Sequence, residues 1–153
     1  MPRRVSFTYE GEPISKSNAL KRGKGKHVYK DAKFDTYEKS LRVAAAAAMF
    51  TDPPFEGPCT VYLRYYFGSY RLKDLTNMPK TTCDALNGIV YKDDSQIVNA
   101  QLEKRYDKEN PRVEIVVQEL PDSPAYPLTR CKPPKRTKVR KKVRKTPVDT
   151  PVE

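Results

Sequence analysis

Four stretches of the chain alternate hydrophobic and polar residues with period two, which is the pattern of a strand with one buried face. They lie at residues 5–9, 60–67, 98–102 and 113–117. The polar segment at 107–111 separates the last two and predicts a hairpin turn between them.

Two further segments carry helical signals. Asp35 and Glu38 form a capping-box pattern, which predicts that the first helix begins at Asp35. Tyr37 and the alanine run at 44–48 fall at helical spacing, and small alanines permit close packing against a sheet. Pro53 predicts that this helix ends just before it.

A second helix is predicted over residues 78–87, because Pro79 is tolerated in a first turn and Gly88 supplies a stop. The resulting order is β-α-β-α-β-β. It predicts an α+β fold in which two helices pack on a mostly antiparallel or mixed four-stranded sheet.

Composition divides the chain near Leu120 into a folded domain, residues 1–119, and a tail, residues 120–153. The tail holds seven of the 14 prolines and no glycine. Such a segment buries too little apolar area to offset the entropy of ordering, so we expect it to be disordered. Within the domain, the glycine- and lysine-rich residues 11–33 are expected to form a mobile loop.

The charge distribution favours a polyanionic partner. The chain has a net charge of +11, of which the tail contributes +7. The basic run at residues 132–145 is typical of an arm that binds nucleic acid or phosphate. A solvated tail that only aids solubility is the alternative.

Several classes of protein are excluded by what the sequence lacks. No apolar stretch reaches the ~20 residues that a membrane-spanning helix needs. The three cysteines form neither a CxxC motif nor a Cys/His cluster, so we expect no disulfide framework or zinc site and a reduced, intracellular protein. His27 is the one histidine, and there is no phosphate-binding loop for a nucleotide cofactor.

Carboxylates flank the second predicted helix on both sides. Asp74 precedes it, Lys80 and Asp84 share one of its faces, and Asp93 and Asp94 follow it. Converging carboxylates suit a hard divalent cation such as Mg²⁺. On spacing alone, a turn at 93–94 and a surface salt bridge between Lys80 and Asp84 explain the same residues.

The run KDLTNMPKTTCDALNGIVYKDDSQI, at residues 73–97, resembles the signature of the RusA family of Holliday-junction resolvases. That signature is Asp-x-Asp-Asn followed by Lys, Asp-Ala-Leu, a glycine and Asp-Asp-x-Gln before a strand. The resemblance extends through about residue 119, and the tail has no counterpart in the family core. The matching residues are Asp74, Asn77, Lys80, Asp84, Ala85, Leu86, Gly88, Asp93, Asp94 and Gln96.

The resemblance implies roles for individual residues. Asp74 and Asp94 match metal-binding positions that are also catalytic, and Lys80 matches the catalytic lysine. The second aspartate of the family's Asp-x-Asp-Asn is Thr76 here, which brings no negative charge to a cation. Further candidates for the metal site are Asp93, Asp84 and Thr76.

By the same resemblance, we expect a homodimeric, Mg²⁺-dependent endodeoxyribonuclease, with Mn²⁺ as a substitute, that cuts four-way DNA junctions at paired symmetric positions. A bacterial or phage-encoded protein of the cytoplasm and nucleoid is implied. A non-catalytic DNA-binding protein and an inactive relative that lacks the second aspartate are the alternatives. The residues expected to contact DNA are Lys16, Lys21, Arg22, Lys24, Lys26, Lys80, Lys135, Arg136, Lys138, Arg140, Lys141 and Lys142.

Deleting residues 121–153 should lower the affinity for four-way junctions at least ~tenfold at low salt and flatten its salt dependence, because fewer phosphate counterions are released. Titration of labelled junctions at several salt concentrations measures both effects. Deleting only residues 146–153 is the matched control, since this segment holds no lysine or arginine. Loss of folding in the longer deletion would contradict the predicted domain boundary.

Overall fold

A computed structural model describes residues 1–16, 20–25 and 28–120, and only the backbone of residues 20–22. The expectations for the tail, for Lys26 and for His27 therefore lie outside the described residues. The strands are β1 (Arg4–Glu10), β2 (Leu20–Arg22), β3 (Val28–Lys30), β4 (Cys59–Phe67), β5 (Ile97–Tyr106) and β6 (Arg112–Glu119), and the helices are α1 (Ala32–Met49) and α2 (Met78–Leu86).

The main sheet has four strands in the order β1-β6-β4-β5. Strand β6 is antiparallel to both β1 and β4, whereas β5 is parallel to β4. The α+β class with two helices on a mixed four-stranded sheet is thus confirmed.

The predicted hairpin at 107–111 is wrong, because β4 lies between the two strands that it was expected to pair. The connection instead passes over the end of β4, where the Asp107 amide donates to the Phe67 carbonyl over 2.9 Å. Strand β5 lies at the sheet edge and none of its residues is fully buried, whereas Val113, Ile115 and Val117 of the interior β6 are. Alternation alone cannot distinguish an edge strand from an interior one.

The hydrophobic core lies between one face of this sheet and the two helices. The alternation predicted for β4 is confirmed in its middle, where Val61, Leu63 and Tyr65 are at most 1% exposed and Tyr62 and Arg64 are exposed. Towards its ends, Thr60 and Tyr66 of the other face are buried as well. The Tyr65 hydroxyl hydrogen-bonds the Thr82 hydroxyl of α2 at 2.9 Å, which ties sheet to helix inside the core. The helical residues that complete the core are Tyr37, Leu41, Ala45, Met49, Met78, Ala85 and Leu86.

Helix α1 begins one turn earlier than predicted. Its N-cap is Asp31, whose carboxylate accepts a hydrogen bond from the Lys33 amide at 2.9 Å. The early start buries Phe34, and Asp35 instead pairs with Lys39 across one helical turn at 2.6 Å. The predicted span of α2 is confirmed within one residue, with Gly88 at φ +74° beyond its end.

The expectation of a structureless loop at 11–33 is also wrong. Strands β2 and β3 pair there as a separate antiparallel ribbon, and α1 begins within the same stretch. The Lys30 ammonium of β3 lies 2.6 Å from the Glu38 carboxylate of α1, which attaches the ribbon to the helix. Three-residue strands are too short to show a period in the sequence.

Within residues 1–16, 20–25 and 28–120, no helix combines the length and apolar character that crossing a bilayer requires.

Candidate active site

The candidate residues lie on the connection that joins β4 to β5, residues 68–96. Parallel neighbours cannot be joined by a tight turn, so this connection must return along the sheet before β5 can begin. It does so through two short 3-10 helices, Leu75–Asn77 and Asp94–Gln96, with α2 between them. The fold thereby places the candidate carboxylates around one short helix.

Glu12 anchors the beginning of this connection. One of its carboxylate oxygens accepts a hydrogen bond from the Gly68 amide at 2.9 Å, and the other lies 2.7 Å from the Lys73 ammonium. From the other side, the Lys104 ammonium of β5 donates to the Lys73 carbonyl at 3.0 Å. The backbone leading to Asp74 is therefore fixed on one side to Glu12, just after β1, and on the other to β5.

Asp74 caps the first 3-10 helix, and three hydrogen bonds orient its carboxylate. Its Oδ1 accepts from the Thr76 amide at 2.9 Å and from the Thr76 hydroxyl at 2.7 Å, and its Oδ2 accepts from the Asn77 side chain at 3.0 Å. The Thr76 hydroxyl, the Thr76 amide and the Lys104 charge lower the pKa of Asp74 against the opposing effect of desolvation. Asp74 is thus an exposed, ionised and preoriented carboxylate.

Helix α2 has the polar stripe that the sequence predicts. The Asp84 carboxylate lies 2.9 Å from the Lys16 ammonium and 3.7 Å from the Lys80 ammonium. On the opposite side, Met78 and Thr82 are buried. Asp84 therefore holds two lysines at one surface, and Lys16 attaches the N-terminal segment to α2.

Gln96 is a buried side chain that fixes the turn carrying Asp93 and Asp94. Its carboxamide accepts a hydrogen bond from the Asp93 amide at 2.9 Å and donates to the Phe55 and Gly57 carbonyls at 3.0 and 2.9 Å. It is 6% exposed, so its polar atoms depend on these protein partners.

Asp93 and Asp94 have different surroundings. The Asp93 carboxylate accepts a hydrogen bond from the Ser95 hydroxyl, which is the main reason that its pKa is lowered. Asp94 begins the second 3-10 helix, which contacts α2.

Asp84 and Asp94 both lie near the Cys83 thiol. Desolvation is the largest cause of its raised pKa of about 11, the two carboxylates raise it further, and a hydrogen bond with Tyr91 opposes them. The thiol therefore stays protonated at neutral pH, which argues against Cys83 as a nucleophile.

A cavity of about 360 Å³ opens beside the N-terminal end of α2. Asp74 and Asn77 line it together with the anchoring residues Glu12 and Lys73. It is large enough to admit several waters or a phosphate group.

Among residues 1–16, 20–25 and 28–120, no three His, Cys, Asp or Glu side chains come together as a group that could hold a metal ion. The available donors still match a hard cation in kind, since they are carboxylate oxygens. Mg²⁺ commonly takes one or two protein carboxylates, with waters and substrate phosphates completing its six ligands. The donor chemistry therefore fits Mg²⁺ without a preformed cage.

The expected DNA-contacting residues of the domain have different surroundings. Lys16 pairs with Asp84, and Lys24 is exposed in the turn of the β2–β3 ribbon. Lys21 and Arg22 lie on β2, where the backbone alone is described. Lys26, with Lys135, Arg136, Lys138, Arg140, Lys141 and Lys142, lies outside the described residues.

Sequence reasoning missed the supporting contacts. No role was predicted for Glu12 or Lys104, because their partner Lys73 is remote in sequence. The motif includes Gln96 without assigning it a function, although a glutamine just before a strand and after two aspartates suggests a cap. From the sequence, Thr76 is only the loss of a negative charge, whereas in the structure it donates two hydrogen bonds to Asp74.

Comparison with known proteins gives two findings. Residues 10–118 match the protein family described as Endodeoxyribonuclease RusA. The chain is also similar to a protein of Bacillus subtilis (strain 168) described as "Uncharacterized protein YqaN", with 29% identity over 140 residues, covering 76% of this chain and 96% of that protein. The family match runs from the end of β1 almost to the end of β6 and includes every element of the candidate site.

Replacing Gln96 with methionine keeps the approximate volume and removes all three hydrogen bonds. We expect Gln96→Met to destabilise the protein by about 2–4 kcal/mol, because buried backbone groups lose their partners. Urea denaturation measures this change. Gln101→Met, at an exposed position of β5, is the matched control and should stay within ~0.5 kcal/mol of the parent. Equal stability of the two variants would show that Gln96 does not fix the turn.

Proposed function

Since the chain belongs to the RusA endodeoxyribonuclease family, whose members are nucleases that act on DNA junctions, we propose that it is a Mg²⁺-dependent enzyme that resolves four-way junctions by paired, symmetric cuts. The family match contains Asp74, Lys80 and Asp94, together with the contacts of Glu12 and Gln96.

The observation that carries the proposal is the state of Asp74. Its carboxylate is exposed, it is kept ionised by hydrogen bonds from Thr76, and it borders a cavity. The hydrogen bonds by which Asp74 caps the 3-10 helix also hold this exposed carboxylate in one orientation. Such preorientation lowers the cost of arranging charge around a phosphodiester.

Asp74 and Asp94 are the residues that would hold the cation, with Asp84 and Asp93 as nearby carboxylates. When bound, Mg²⁺ lowers the pKa of a bound water and neutralises charge on the non-bridging phosphate oxygens. At Asp74, the chain's own part is to hold the carboxylate ionised and oriented. The Thr76 hydroxyl donates a hydrogen bond to Asp74, and its oxygen retains lone pairs that can accept one.

Lys80 is the proposed electrostatic partner of the reacting phosphate. Its ammonium is exposed on the same stripe as Asp84 and lies 3.7 Å from that carboxylate, which keeps it near the site without neutralising it fully. A lysine so placed can move onto a phosphate oxygen that carries the growing negative charge.

A homodimer follows from the symmetry of the proposed substrate. A four-way junction must be cut at two equivalent positions, and a two-fold protein presents two equivalent sites. For such a dimer, we expect two cuts on opposite strands at equal distances from the branch point.

A non-catalytic junction-binding protein is the second candidate. Its specific support is Thr76, because the family's second aspartate would supply a negative charge that this residue lacks. Synthetic four-way junctions incubated with and without Mg²⁺ distinguish the two. Paired nicks that require the cation support the enzyme, and bound but intact junctions support the binder.

The variants Asp74→Asn and Asp94→Asn should each lower the cleavage rate at least ~100-fold, because an amide binds Mg²⁺ far more weakly than a carboxylate does. Junction affinity should stay equal or rise, since a negative charge near phosphate is removed. Rates under single-turnover conditions and gel-shift titrations measure the two effects. Asp52→Asn, at an exposed position just beyond α1, is the charge-matched control. Parental rates in both site variants would refute the assignment of these carboxylates.

The variant Thr76→Asp should lower the Mg²⁺ concentration needed for half-maximal cleavage severalfold, because a second carboxylate beside Asp74 attracts the cation. Thr76→Asn is the control, since it has the shape of aspartate without its charge. A Mg²⁺ titration of the cleavage rate is the measurement. If Thr76→Asn matches or exceeds Thr76→Asp, the charge at this position does not determine cation affinity.

A further inference from the structure

Two tyrosines form an exposed stack beside the candidate site. The rings of Tyr70 and Tyr106 lie 3.7 Å apart, centroid to centroid, and are inclined by only 19°. Tyr70 remains 81% exposed, and Leu72 beside it is fully exposed. Tyr106 covers one face of the Tyr70 ring. Because Tyr70 is nevertheless 81% exposed, the other face of its ring is accessible.

This tyrosine stack (Tyr70 on Tyr106) has no role in the core. Neither ring belongs to the hydrophobic cluster that joins the sheet to the helices. Single exposed aromatic residues are common on protein surfaces. Here two aromatic rings stack on each other at the surface, and the backbone between Tyr70 and Asp74 is fixed by Glu12 and Lys104.

The stack is also close to the carboxylate proposed to bind the cation. Tyr70 precedes Asp74 by four residues, which span at most ~14 Å of extended chain. Leu72 lines the same cavity as Asp74. Successive bases of a stacked strand are separated by about 3.4 Å, so the stack lies within about four nucleotides of a phosphate held at Asp74.

The surrounding charges suit a nucleic-acid strand. Residues 70–73 and 104–108 together hold five basic side chains, of which Lys73 is paired with Glu12 and Arg105 with Glu103, and one acidic residue, Asp107. That acid is paired with Arg112 at 2.8 Å. Glu109, just outside these segments, adds one exposed negative charge. Desolvation and nearby negative charge raise the pKa of Tyr106, so its ring stays neutral at physiological pH.

We propose that Tyr70, supported from behind by Tyr106, is a stacking platform for an unpaired nucleobase of the DNA strand that passes Asp74. The proposal rests on the proposed function in taking a branched DNA as the ligand. Stacking on an exposed ring is indifferent to base identity, because every base has a π-face. At a branch point, a base that no longer stacks on its neighbours would stack on Tyr70 instead. This contact would hold the neighbouring phosphates of the strand in place.

Photocrosslinking tests this contact directly. A four-way junction carrying 5-iododeoxyuridine at the branch point is bound to the full chain without Mg²⁺ and irradiated. A base stacked on tyrosine forms a bond from its C5 to the ring, with loss of hydrogen iodide, and mass spectrometry identifies the modified residue. We expect the adduct on Tyr70.

Three variants test whether the adduct reports stacking on the Tyr70 ring. Tyr70→Leu should reduce the crosslink yield, and the cleavage rate measured with Mg²⁺, at least ~tenfold, since stacking of one base contributes about that factor or more. Tyr70→Phe keeps the ring and should retain both. Tyr62→Leu is the matched control, because Tyr62 is an exposed tyrosine on the opposite face of the sheet. It should leave both unchanged.

The outcomes separate the platform from the nuclease. Cleavage by the parent without an adduct on Tyr70 or Tyr106 overturns the platform and leaves the proposed function standing. An adduct on Tyr70 without cleavage supports the platform and counts against the nuclease. The crosslinking is repeated on single-stranded DNA with the same base, so that a chain that fails to bind junctions still gives a result. Absence of the Tyr70 adduct there as well overturns the platform.

Discussion

The parallel pairing of β4 with β5 is the constraint on which the rest of the structure depends. Adjacent parallel strands require a long connection, and here it contains both 3-10 helices and α2. Every candidate catalytic or metal-binding residue lies on that connection. The sheet therefore does more than provide a core, since its strand order determines which carboxylates can approach one another.

Two parts of this connection are stabilised in different ways. At its start, hydrogen bonds from Thr76 and Asn77 orient the Asp74 carboxylate, and an ion pair between Glu12 and Lys73 fixes the backbone. Farther along, Asp84 is paired with lysines at the surface. Hydrogen bonds orient a carboxylate without cancelling its charge, whereas ion pairs partly cancel it. Asp74 is thus better suited to attract a cation than Asp84 is.

Much of the fold could be predicted from the sequence, because β4, β6 and α2 bury one face and show clear periods. The strand that pairs with β5 could not be predicted, because an edge strand alternates like an interior one. Strand pairing also depends on residues that are remote in sequence. The β2–β3 ribbon could not be predicted, because strands of three residues are too short to show a period. For the site, motif residues indicated the carboxylates, and the resemblance assigned their roles. The contacts of Glu12 and Gln96 required coordinates, since each joins segments more than 35 residues apart.

The last described residue, Leu120, and the stacked tyrosines lie at opposite ends of the sheet. The Leu120 amide donates to the Pro58 carbonyl, and Glu119 accepts from the amides of Glu56 and Gly57, so the chain leaves the domain where β4 begins. Strand β4 has nine residues and is ~27 Å long, and the tyrosines lie at its far end. Leu120 and the tyrosines are therefore separated by about the length of β4. In duplex DNA, at 3.4 Å for each base pair, this distance corresponds to about eight base pairs.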